Sequence, residues 1–508
     1  MLLHHAVANA ARRAPTTPAL VWDHTTTTFA ELDDRIGRLA RTIAATVPAG
    51  GRVAVLAANH PVWIDAYYGV PAAGRALVFL NHRQHGAEWA TLLRRTGARV
   101  VIGQRTLLDR LSAEADLPSG IMVICVDEPV GDEQSYSRWV ASAAPDPAPD
   151  LGVEESDPAW IVFTSGTTGA PKGAVLTHRS ILAAVAATAL SRPVEPDAAY
   201  LYPFPLCHVA GYNIPLHHLM GRPVVMLEGF DTGEVWDAIE QHSITTMSLA
   251  PTMIAMLLDD PGFAGADLSS LRAVGYGASA IPGEVLRRGI KMLDVDFSQG
   301  FGMTELSGNA VFLSGDDHRR AATTDPHLLD SCGRPSPLVA VDILDEDGTS
   351  LAAGQVGEIA VRGPQVVGGY LDDPEATSAA FQRGWFRTGD LGRFDEDGYL
   401  YVVDRKKDVI VTGGENVASR EVEDILLLHP AVAAAAVIGL PDERWGEQIC
   451  AVVVPRDTAD PPPICQLERL VRDHLGGYKV PRRWQVVDEL PTNAAGKILK
   501  RELRTRFS

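Results

Sequence analysis

Short apolar segments alternate with amphipathic segments through the first part of the chain. Four apolar runs have the length and the bounding residues of buried strands: 52–57, 76–80, 98–103 and 121–126. Residues 63–70 and 87–96, which lie between them, carry apolar side chains at helical spacing. This alternation predicts parallel sheets covered by helices. A second series follows the Ala-, Pro- and Asp-rich stretch 141–153, with strands predicted at 161–164, 223–227, 245–249 and 273–275.

The pattern changes near residue 331, where short apolar runs are separated by Gly and Asp turns. Such runs predict a mostly β subdomain, in the form of a distorted barrel. The final segment shows a helix at 419–428, strands at 433–438 and 449–454, and a helix at 464–475. The predicted fold is therefore α/β. A large N-terminal domain (residues 1–403) holds two α/β subdomains plus the distorted β-barrel, and a small α+β C-terminal domain follows (residues 404–508).

The composition narrows the class of protein. The chain has 508 residues, which corresponds to about three structural units at roughly 150 residues each. Acidic residues outnumber basic ones, 64 to 45, and the net charge of −19 argues against nucleic acid and anionic membranes as partners.

The five cysteines are widely spaced and form no CxxC pair, so no zinc ribbon or disulfide framework is expected and the predicted compartment is the cytoplasm. Residues 198–221 carry no charged side chain, but their prolines and histidines predict buried loop and helix ends and no transmembrane span.

The sharpest motif directly follows the predicted strand 161–163. The segment TSGTTGAPKG, residues 164–173, combines hydroxyls, glycines and one ammonium group: Thr164, Ser165, Gly166, Thr167, Thr168, Gly169 and Lys172. Glycines allow close approach of the backbone, and hydroxyls, amides and a lysine are the donors that a polyphosphate needs. A Walker A loop is excluded, because Pro171 stands where that motif needs glycine and Gly173 follows the lysine in place of Ser or Thr.

This segment resembles the signature loop of the adenylate-forming superfamily, which includes acyl- and aryl-CoA synthetases, peptide-synthetase adenylation domains and beetle luciferases. Further segments resemble the motifs of that superfamily in the same order along the chain: GYGASA at 275–280, QGFGMTE at 299–305, WFRTGD at 385–390, DRKKD at 404–408, TGGEN at 412–416 and PTNAAGK at 491–497. Taken alone, a glycine-rich stretch such as QGFGMTE is more often a turn. The ordered set extends the resemblance over essentially the whole chain.

The resemblance implies that the chain binds ATP with Mg²⁺. Besides the loop residues, it assigns these residues to the nucleotide: Gly277, Ala278, Ser279, Gln299, Gly300, Phe301, Gly302, Met303, Thr304, Asp390, Arg405 and Lys497. Phe301 would stack near adenine, and Thr304 would meet the α-phosphate. Asp390 and Arg405 would contact the ribose. Glu305 is implied to serve the metal, which suits Mg²⁺ because this ion prefers hard oxygen ligands and few protein carboxylates.

The implied reaction has two halves. A substrate carboxylate attacks the α-phosphorus of ATP to give acyl-adenylate and pyrophosphate, and the thiol of CoA then releases AMP. The resemblance makes these residues catalytic: Lys497, Lys172, Glu305 and His208. Asp404 is implied to be the hinge of a mobile small domain, and Gly413 and Gly414 would leave a tunnel for the CoA arm. Val411 and Thr412 replace a lysine of some plant aryl-CoA ligases, which puts a lysine contact to CoA from this strand in doubt.

The acyl pocket is implied to contain His208, Val209, Tyr212, Gly277, Gly302 and Gly308. Residues 204–212 include no carboxylate to bind an α-ammonium group, so an amino-acid substrate is disfavoured. The segments FPLCHVAG, YGASAIP, GMTELSG and GGENV look most like those of bacterial fatty-acyl-CoA synthetases. We therefore expect a fatty or related hydrophobic acid. Tyr212 and Asn309 could instead shorten the pocket or meet a polar or aromatic acid.

The expected function is that of an ATP-dependent acid–CoA ligase, which uses ATP, Mg²⁺ and coenzyme A on a small carboxylic acid and binds no nucleic acid. One alternative is an aryl-acid CoA ligase, and another is a stand-alone adenylation enzyme that loads a carrier protein. A non-catalytic nucleotide-binding relative is less well supported, because the residues such a protein would not need are all present: Lys172, Glu305, Asp390, Arg405 and Lys497. A homodimer is left open.

Overall fold

The computed structural model describes the chain except for residues 128–133, 145–149, 165–170, 278–280, 282, 413–414 and 494–497. The described residues form two compact units. The first comprises Met1–Ala340 and Arg362–Gly384, and the second comprises Val341–Val361 and Trp385–Ser508. The second unit includes strands on both sides of residue 404, where the sequence predicts a domain boundary; that boundary stays a prediction.

The first unit contains two sheets and the helices that accompany them. Its strands are β1 Pro18–Trp22, β2 Thr25–Thr28, β3 Arg52–Leu56, β4 Ala76–Phe79, β5 Val100–Gly103, β6 Met122–Cys125, β7 Gln134–Ser135, β8 Pro158–Thr164, β9 Lys172–Thr177, β10 Tyr200–Tyr202, β11 Val224–Met226, β12 Thr246–Leu249, β13 Ala273–Gly277, β14 Asp296–Met303, β15 Gly308–Leu313, β16 Arg334–Pro335 and, after β17 and β18 of the second unit, β19 Phe381–Gln382. Its helices are α1 His5–Arg13, α2 Phe29–Thr46, α3 Pro61–Ala72, α4 Gly86–Thr96, α5 Arg105–Glu114, α6 Tyr136–Ala141, α7 His178–Ser191, α8 Asn213–Leu219, α9 Thr232–His242, α10 Pro251–Asp259, α11 Gly283–Leu293, α12 Gly315–Thr323 and α13 Pro374–Ala380. The strands and helices expected from the hydrophobic pattern are confirmed, with ends that differ by a few residues.

Both sheets of the first unit are mainly parallel. Over the described residues, one sheet has the strand order β16-β15-β14-β13-β12-β10-β11-β1-β2, with antiparallel pairs at its two ends. The other has the order β7-β6-β5-β3-β4-β8-β9, in which β8 and β9 are antiparallel. Parallel sheets need helical crossovers, which cover their faces. The two predicted α/β subdomains are therefore confirmed.

Helix α3 shows how the core positions the functional segments. Pro61 occupies its first turn, where a missing amide proton is tolerated, and Nδ1 of His60 accepts a hydrogen bond from the amide of Val62 at 3.1 Å. The rest of the helix, up to Ala72, is buried. The ring of Tyr67 lies 5.4 Å from that of Phe79 in β4 and 4.6 Å from that of Trp160 in β8. This aromatic cluster fixes β8, the strand that leads into the TSGTTGAPKG segment.

The second unit also contains two sheets. Its strands are β17 Ala340–Leu344, β18 Gly357–Arg362, β20 Trp385–Phe394, β21 Leu400–Arg405, β22 Ile410–Thr412, β23 Glu415–Val417, β24 Val432–Asp442, β25 Gly446–Pro455 and β26 Arg483–Val486, and its helices are α14 Ser419–Leu426, α15 Ile464–His474 and α16 Lys500–Phe507. Strands β17, β18, β20 and β21 lie side by side as a partial barrel, which is the form taken by the predicted β subdomain. The second sheet, β23-β22-β25-β24 with β26 beside β25, packs its apolar face against α14 and α15 through Val422, Leu426 and Leu467.

The uncharged stretch 198–221 folds as β10, a short 3₁₀ turn at Val209–Tyr212 and helix α8. The ring of His217 stacks on Tyr200 with centroids 4.0 Å apart, so the polar side chains of this stretch pack within the unit. Among the helices that the structure describes, none has the length and apolar character needed to cross a membrane.

Candidate functional site

Glu305 joins two segments that are far apart in the sequence. Strand β14 ends at Met303, and a 3₁₀ turn at Thr304–Leu306 carries Glu305 into the interior, where it is 5% exposed. Its Oε1 accepts hydrogen bonds from the hydroxyl of Tyr370 at 3.0 Å and from that of Thr164 at 3.5 Å. Thr164 is the last residue of β8, so the glycine-rich segment 299–305 meets the start of the TSGTTGAPKG segment.

Lys172 begins β9 and pairs with Thr164 across the antiparallel β8–β9 ladder. The segment between them, 165–170, contains Ser165, Gly166, Thr167, Thr168 and Gly169 and lies outside the described residues. The described ends of the motif, Thr164 and Lys172, thus lie on neighbouring antiparallel strands, and β9 leads into helix α7. A lysine on a strand is better fixed than a lysine within a loop, because the ladder restrains its backbone.

No sequence motif pointed to Tyr370, although this residue contacts both Glu305 and Lys172. Its backbone runs beside β9, where the amide of Leu371 donates to the carbonyl of Gly173 at 2.8 Å. The face of its ring lies 5.1 Å from Nζ of Lys172, within the range of a cation–π interaction. Burial, with the charge of Glu305 adding to it, raises the pKa of Tyr370 well above its usual value, so the phenol stays protonated as a donor. The only signal in the sequence was an aromatic residue after two glycines, just before a capped helix.

The glycine-rich segment predicted to border the nucleotide is a strand and not a turn. Gly277 at the end of β13 pairs with Gly300 in β14, and Gln299 accepts a long hydrogen bond of 3.4 Å from Tyr276. Phe301, Gly302, Met303 and Thr304 follow along the end of β14 towards Glu305. Ala278 and Ser279 lie outside the described residues. The carboxyl ends of β13 and β14 thus lie side by side, at the kind of edge where parallel α/β sheets bind ligands.

Asp390 and Arg405, the two predicted ribose-binding residues, contact each other within the second unit. Asp390 lies on β20 opposite Arg405 of β21, and Nε of Arg405 is 3.0 Å from Oδ1 of Asp390. Asp390 is 6% exposed and lies within a strand, so its carboxylate is buried in the unit. The strand pair thereby holds a carboxylate and a guanidinium side by side.

Asp404, the predicted hinge, is tied to the first turn of helix α14. Its Oδ2 accepts hydrogen bonds from the amide and the hydroxyl of Ser419, the latter at 2.8 Å, and its Oδ1 accepts from the amide of Arg405 at 2.7 Å. A carboxylate at a helix N-terminus satisfies amides that have no partner inside the helix. Nζ of Lys500 donates to the same Ser419 hydroxyl at 2.5 Å and lies 2.7 Å from Glu423.

The predicted CoA tunnel and the predicted catalytic lysine lie outside the described residues: Gly413, Gly414 and Lys497. The residues before the glycines are described. Val411 is exposed, and its amide donates to Oε2 of Glu447 at 2.8 Å. Thr412 is buried, and its hydroxyl accepts a hydrogen bond from Arg482 at 3.1 Å. The position where some plant ligases carry a lysine therefore holds one buried hydroxyl and one exposed apolar side chain.

His208 and Val209 lie at the start of the 3₁₀ turn before α8. The Nε2 atom of His208 is buried and has no hydrogen-bond partner among the described residues. Burial, helped by the nearby charge of Arg83, lowers the pKa of His208 to about 4, so the imidazole is neutral at physiological pH. A neutral histidine with an open ring nitrogen can donate to or accept from a ligand without adding charge.

Tyr212 and Gly308 pack directly against each other. The Tyr212 hydroxyl lies 3.1 Å from that of Thr188, and a Cβ built on Gly308 would lie 2.9 Å from the tyrosine ring. Gly308 also has a φ of +151°, so a side chain there would be strained as well as obstructed. Of the residues implied to line the acyl pocket, the structure brings these two into contact, and the Tyr212 ring fills the space over Gly308.

The donor set fits a magnesium ion held together with phosphate. Among the described residues there is no group of three or more His, Cys, Asp or Glu side chains that could hold a metal. Oε1 of Glu305 is used by Tyr370 and Thr164, and no described residue donates to Oε2. One buried carboxylate oxygen suits Mg²⁺, which keeps water and substrate phosphate oxygens as its other ligands.

The fold and these sites define an adenylate-forming enzyme. The family model described as "AMP-binding enzyme" matches residues 7–371, and that of the "AMP-binding enzyme C-terminal domain" matches residues 421–497. The chain belongs to this family, which confirms the resemblance. Its reaction class is that of an AMP-forming acid–CoA ligase that uses ATP, Mg²⁺ and CoA.

Similar proteins include curated enzymes and solved structures. The chain is 37% identical to a feruloyl-CoA synthase of Amycolatopsis sp over 504 residues, which cover 98% of this chain and 97% of the relative. It is 35% identical to a medium/long-chain-fatty-acid–CoA ligase of Mycobacterium tuberculosis over 99% of this chain and 90% of the relative. An amide bond synthetase from Marinactinospora thermotolerans superposes over the full length of both chains with a TM-score of 0.89 at 32% identity.

Proposed function

We propose that Thr164, Lys172 and Glu305 form the phosphate and metal side of the adenylation site, and that Tyr370 positions the last two. The observation that carries this proposal is the placement of one tyrosine between a buried carboxylate and an ammonium group. The Tyr370 hydroxyl contacts Glu305, and its ring face meets Lys172. Strand β9 thus holds the Lys172 ammonium group in place, and the turn after β14 holds the Glu305 carboxylate in place.

The first half-reaction needs charge control more than proton transfer. A carboxylic acid with a pKa of about 4 is already ionised at neutral pH, so no general base is required. Two anions must instead be aligned while negative charge grows at the α-phosphate. Lys172 would hold the phosphates that leave as pyrophosphate, and Lys497 would neutralise the reacting phosphate. The remaining members of the TSGTTGAPKG segment would supply hydroxyl and amide donors.

The metal is assigned to Glu305. When bound, Mg²⁺ neutralises phosphate oxygens of ATP. Tyr370 and Thr164 would hold Oε1 of Glu305 in place, so that Oε2 is left to bind the metal ion. This division of the two oxygens leaves the carboxylate oriented and available.

Asp390 and Arg405 are proposed to bind the ribose. A carboxylate accepts hydrogen bonds from both ribose hydroxyls, and the guanidinium 3.0 Å away orients it. Phe301, Thr304 and the backbone around Gly277, Gln299 and Gly300 would border the rest of the nucleotide. The second half-reaction, in which the CoA thiol attacks the acyl carbon and AMP leaves, is assigned to the segment with Gly413 and Gly414, with Asp404 as the pivot.

The acid is proposed to be a hydrophobic carboxylate whose reacting end lies near His208. Because this histidine is neutral and has an open ring nitrogen, it can hydrogen-bond the substrate without trapping it as an ion pair. Tyr212 fills the space over Gly308 and favours a compact acid of aryl size over a long chain. The likeness to a feruloyl-CoA synthase supports an aryl acid, and the likeness to a fatty-acid–CoA ligase supports an aliphatic one.

The cytoplasm is the proposed compartment. Each of the five cysteines is a thiol and not part of a disulfide, which supports a reducing compartment. A homodimer stays a prediction.

The test is acid-dependent exchange between ATP and labelled pyrophosphate, run over a panel of aryl and fatty acids with and without CoA. Acid-dependent exchange together with an acyl-CoA product supports the ligase. Exchange that yields no thioester with CoA would favour the loading of a carrier protein. No exchange with any acid would contradict adenylate formation.

A further inference from the structure

Arg192 lies across one face of the sheet, beside the residues assigned to the acid. It follows the last residue of α7, and its amide donates to the carbonyl of Thr188 at 2.7 Å. Its Nη1 donates to the hydroxyl of Ser248 in β12 at 3.2 Å, and its Nη2 donates to Oδ1 of Asn213 at 2.9 Å. A Cβ at Gly275 of β13 would collide with the guanidinium, so only glycine lets Arg192 occupy this place.

The guanidinium of Arg192 has only neutral partners. Two other arginines with restricted exposure face a buried carboxylate: Arg35 lies 2.6 Å from Asp65, and Arg387 lies 2.7 Å from Glu358. Buried Arg75 instead donates to backbone carbonyls, such as that of Val47 at 2.9 Å. Within the described part of the chain, no carboxylate lies within ion-pair distance of Arg192, and its partners Ser248 and Asn213 are themselves buried. Arg192 is half-buried, and a cation whose described partners are neutral gains from an added anion or oxygen acceptor.

Tyr200 adds a second, independent donor on the same face. The register pairs Tyr200 with Thr246 of β12, and alternate strand residues share a face, so Tyr200 faces the same side as Ser248. Its hydroxyl is buried beside the Ser248 side chain, and no hydrogen bond of good geometry joins it to a described residue. Burial raises the pKa of Tyr200 to about 12, with Arg192 acting in the opposite direction. Buried polar groups are nearly always satisfied, so a hydroxyl without an acceptor points to a ligand atom.

These donors lie deeper along the strands than the residues assigned to the reacting end of the acid. Gly275 and Gly277 share a face of β13 and are separated by two residues, or roughly 7 Å of strand. Gly275 is on the side away from the carboxyl end of β13. Tyr212, which covers Gly308, is followed directly by Asn213, the partner of Arg192. Arg192 therefore lies further from the carboxyl end of β13 than Gly277, on the face that Gly275 and Gly277 share.

We propose that Arg192, Ser248 and Tyr200 form a specificity site that binds an oxygen acceptor at the far end of the acid. This inference rests on the proposed ligase function and names the class of its substrate. The acid carries a second carboxylate, or a carbonyl or phenolic oxygen, at a distance from the reacting carboxylate. An unsubstituted aryl or alkyl end would bury the guanidinium and the tyrosine hydroxyl without a partner. Sites built to hydrogen-bond a substrate group reject analogues that lack it, because the site's own polar groups are then left unpaired.

The test uses matched acids in the pyrophosphate exchange assay. One series is 3-phenylpropanoic acid with its 4-hydroxy and 4-carboxy derivatives, and the other is hexanoic acid with adipic acid. Wild-type enzyme is expected to favour an oxygen-bearing member over its parent by about 10- to 100-fold in kcat/KM. Arg192→Met is expected to bring that ratio close to one while the parent acid changes little. Arg192→Lys, which keeps the charge but loses the planar fork, is expected to retain part of the preference. Arg272→Met, at the exposed start of β13, is the matched control.

Either of two results would overturn the proposal. One is equal use of parent and oxygen-bearing acids by the wild-type enzyme in both series, which needs no variant and so does not depend on folding. The other is an equal loss for all acids in Arg192→Met, which would assign Arg192 a purely structural role. A preference for the carboxy derivatives supports an ion pair, and a preference for the hydroxy derivative supports a neutral acceptor. Exchange with no acid at all would overturn the ligase function itself, and this inference with it.

Discussion

The hydroxyl of Tyr370 donates to Oε1 of Glu305 at 3.0 Å, while the face of the same ring lies 5.1 Å from Nζ of Lys172. Tyr370 therefore orients the Glu305 carboxylate through its hydroxyl and the Lys172 ammonium group through the face of its ring. Because the phenol lies between the Glu305 carboxylate and the Lys172 ammonium group, the two are not held to each other as an ion pair. This relationship links β9, the turn after β14 and the segment before α13.

Tyr370→Phe keeps the ring over Lys172 and removes only the hydrogen bond to Glu305. Since hydrogen bonds to charged groups are worth about 1.5–3 kcal/mol, we expect kcat/KM for ATP in the exchange assay to fall about 10-fold or more. The Mg²⁺ concentration for half-maximal rate should rise, and KM for the acid should change little. Tyr478→Phe, at an exposed position, is the control. An unchanged Mg²⁺ dependence would assign Tyr370 a merely structural role.

Glu305→Gln retains shape and hydrogen-bonding capacity but removes the negative charge. The exchange rate should fall by about 10² to 10³, the size expected when one electrostatic group of a preorganised site is lost. Thermal stability should be nearly unchanged, because the amide oxygen can still accept from Tyr370. A variant that folds normally and exchanges pyrophosphate at the wild-type rate would contradict the metal assignment.

Lys497→Ala should separate the two half-reactions. Formation of the adenylate should fall by about 10² to 10³, because the reacting phosphate loses its neutralising charge. Thiolysis of supplied acyl-adenylate by CoA should stay near the wild-type rate. The exposed Lys291→Ala serves as the control. Equal damage to both half-reactions would refute the assigned role.

Asp390→Asn tests the ribose assignment when it is combined with a nucleotide analogue. Wild-type enzyme should lose about 10-fold in kcat/KM when ATP is replaced by 2′-deoxy-ATP, because a charge-assisted hydrogen bond is removed. The variant should be weaker with ATP and lose little further with the analogue. If both proteins lose the same factor, Asp390 does not bind the 2′-hydroxyl.

Acid destabilisation should depend on His218. Its Nε2–H donates to the carbonyl of Ala19 at 3.0 Å, and its Nδ1 accepts from the hydroxyl of Tyr68 at 2.7 Å, so both nitrogens are used by the neutral ring. Burial lowers the pKa of His218 to about 4. Between the unfolded value near 6.5 and the folded value, the unfolded chain binds the extra proton, so stability falls as the pH drops through this window. The contribution is at most about 1.4 kcal/mol per pH unit.

His218→Gln should therefore lower the thermal midpoint at pH 7.5 but reduce the further loss on going to pH 5.5. His327→Gln, at an exposed position, should leave both values as in the wild type. A pH dependence of the midpoint that is the same in all three proteins would show that His218 does not contribute to acid sensitivity.

The sequence predicted the layers of the fold well, because hydrophobic alternation reports burial directly. Strands such as β3, β4 and β13 were found within a few residues of their ends. The local composition of 299–305 taken alone favours a turn, but residues 299–303 form a strand, because pairing of β14 with β13 and β15 overrides the local preference of glycine. That pairing joins residues distant in sequence, and a local pattern cannot report it.

The candidate site was predicted in its motifs but not in its connections. Lys172 and Glu305 were identified from motifs, whereas Tyr370 and Arg192 were not, because each acts through a contact made only in the folded chain. Asp390 and Arg405 were named separately, and the β20–β21 ladder brings them together. The filling of the space over Gly308 by Tyr212 likewise depends on packing between the 3₁₀ turn before α8 and strand β15, which no single segment encodes.

The most direct test of the central claim, attack of the acid's own oxygen on the α-phosphorus of ATP, is isotopic. A substrate acid labelled with ¹⁸O in its carboxylate is turned over with ATP and CoA, and the products are examined by mass spectrometry. The account predicts one labelled oxygen in AMP, because the C–O bond to the adenylate breaks when sulfur attacks the acyl carbon. Label in pyrophosphate or inorganic phosphate, or formation of ADP with unlabelled AMP, would contradict it.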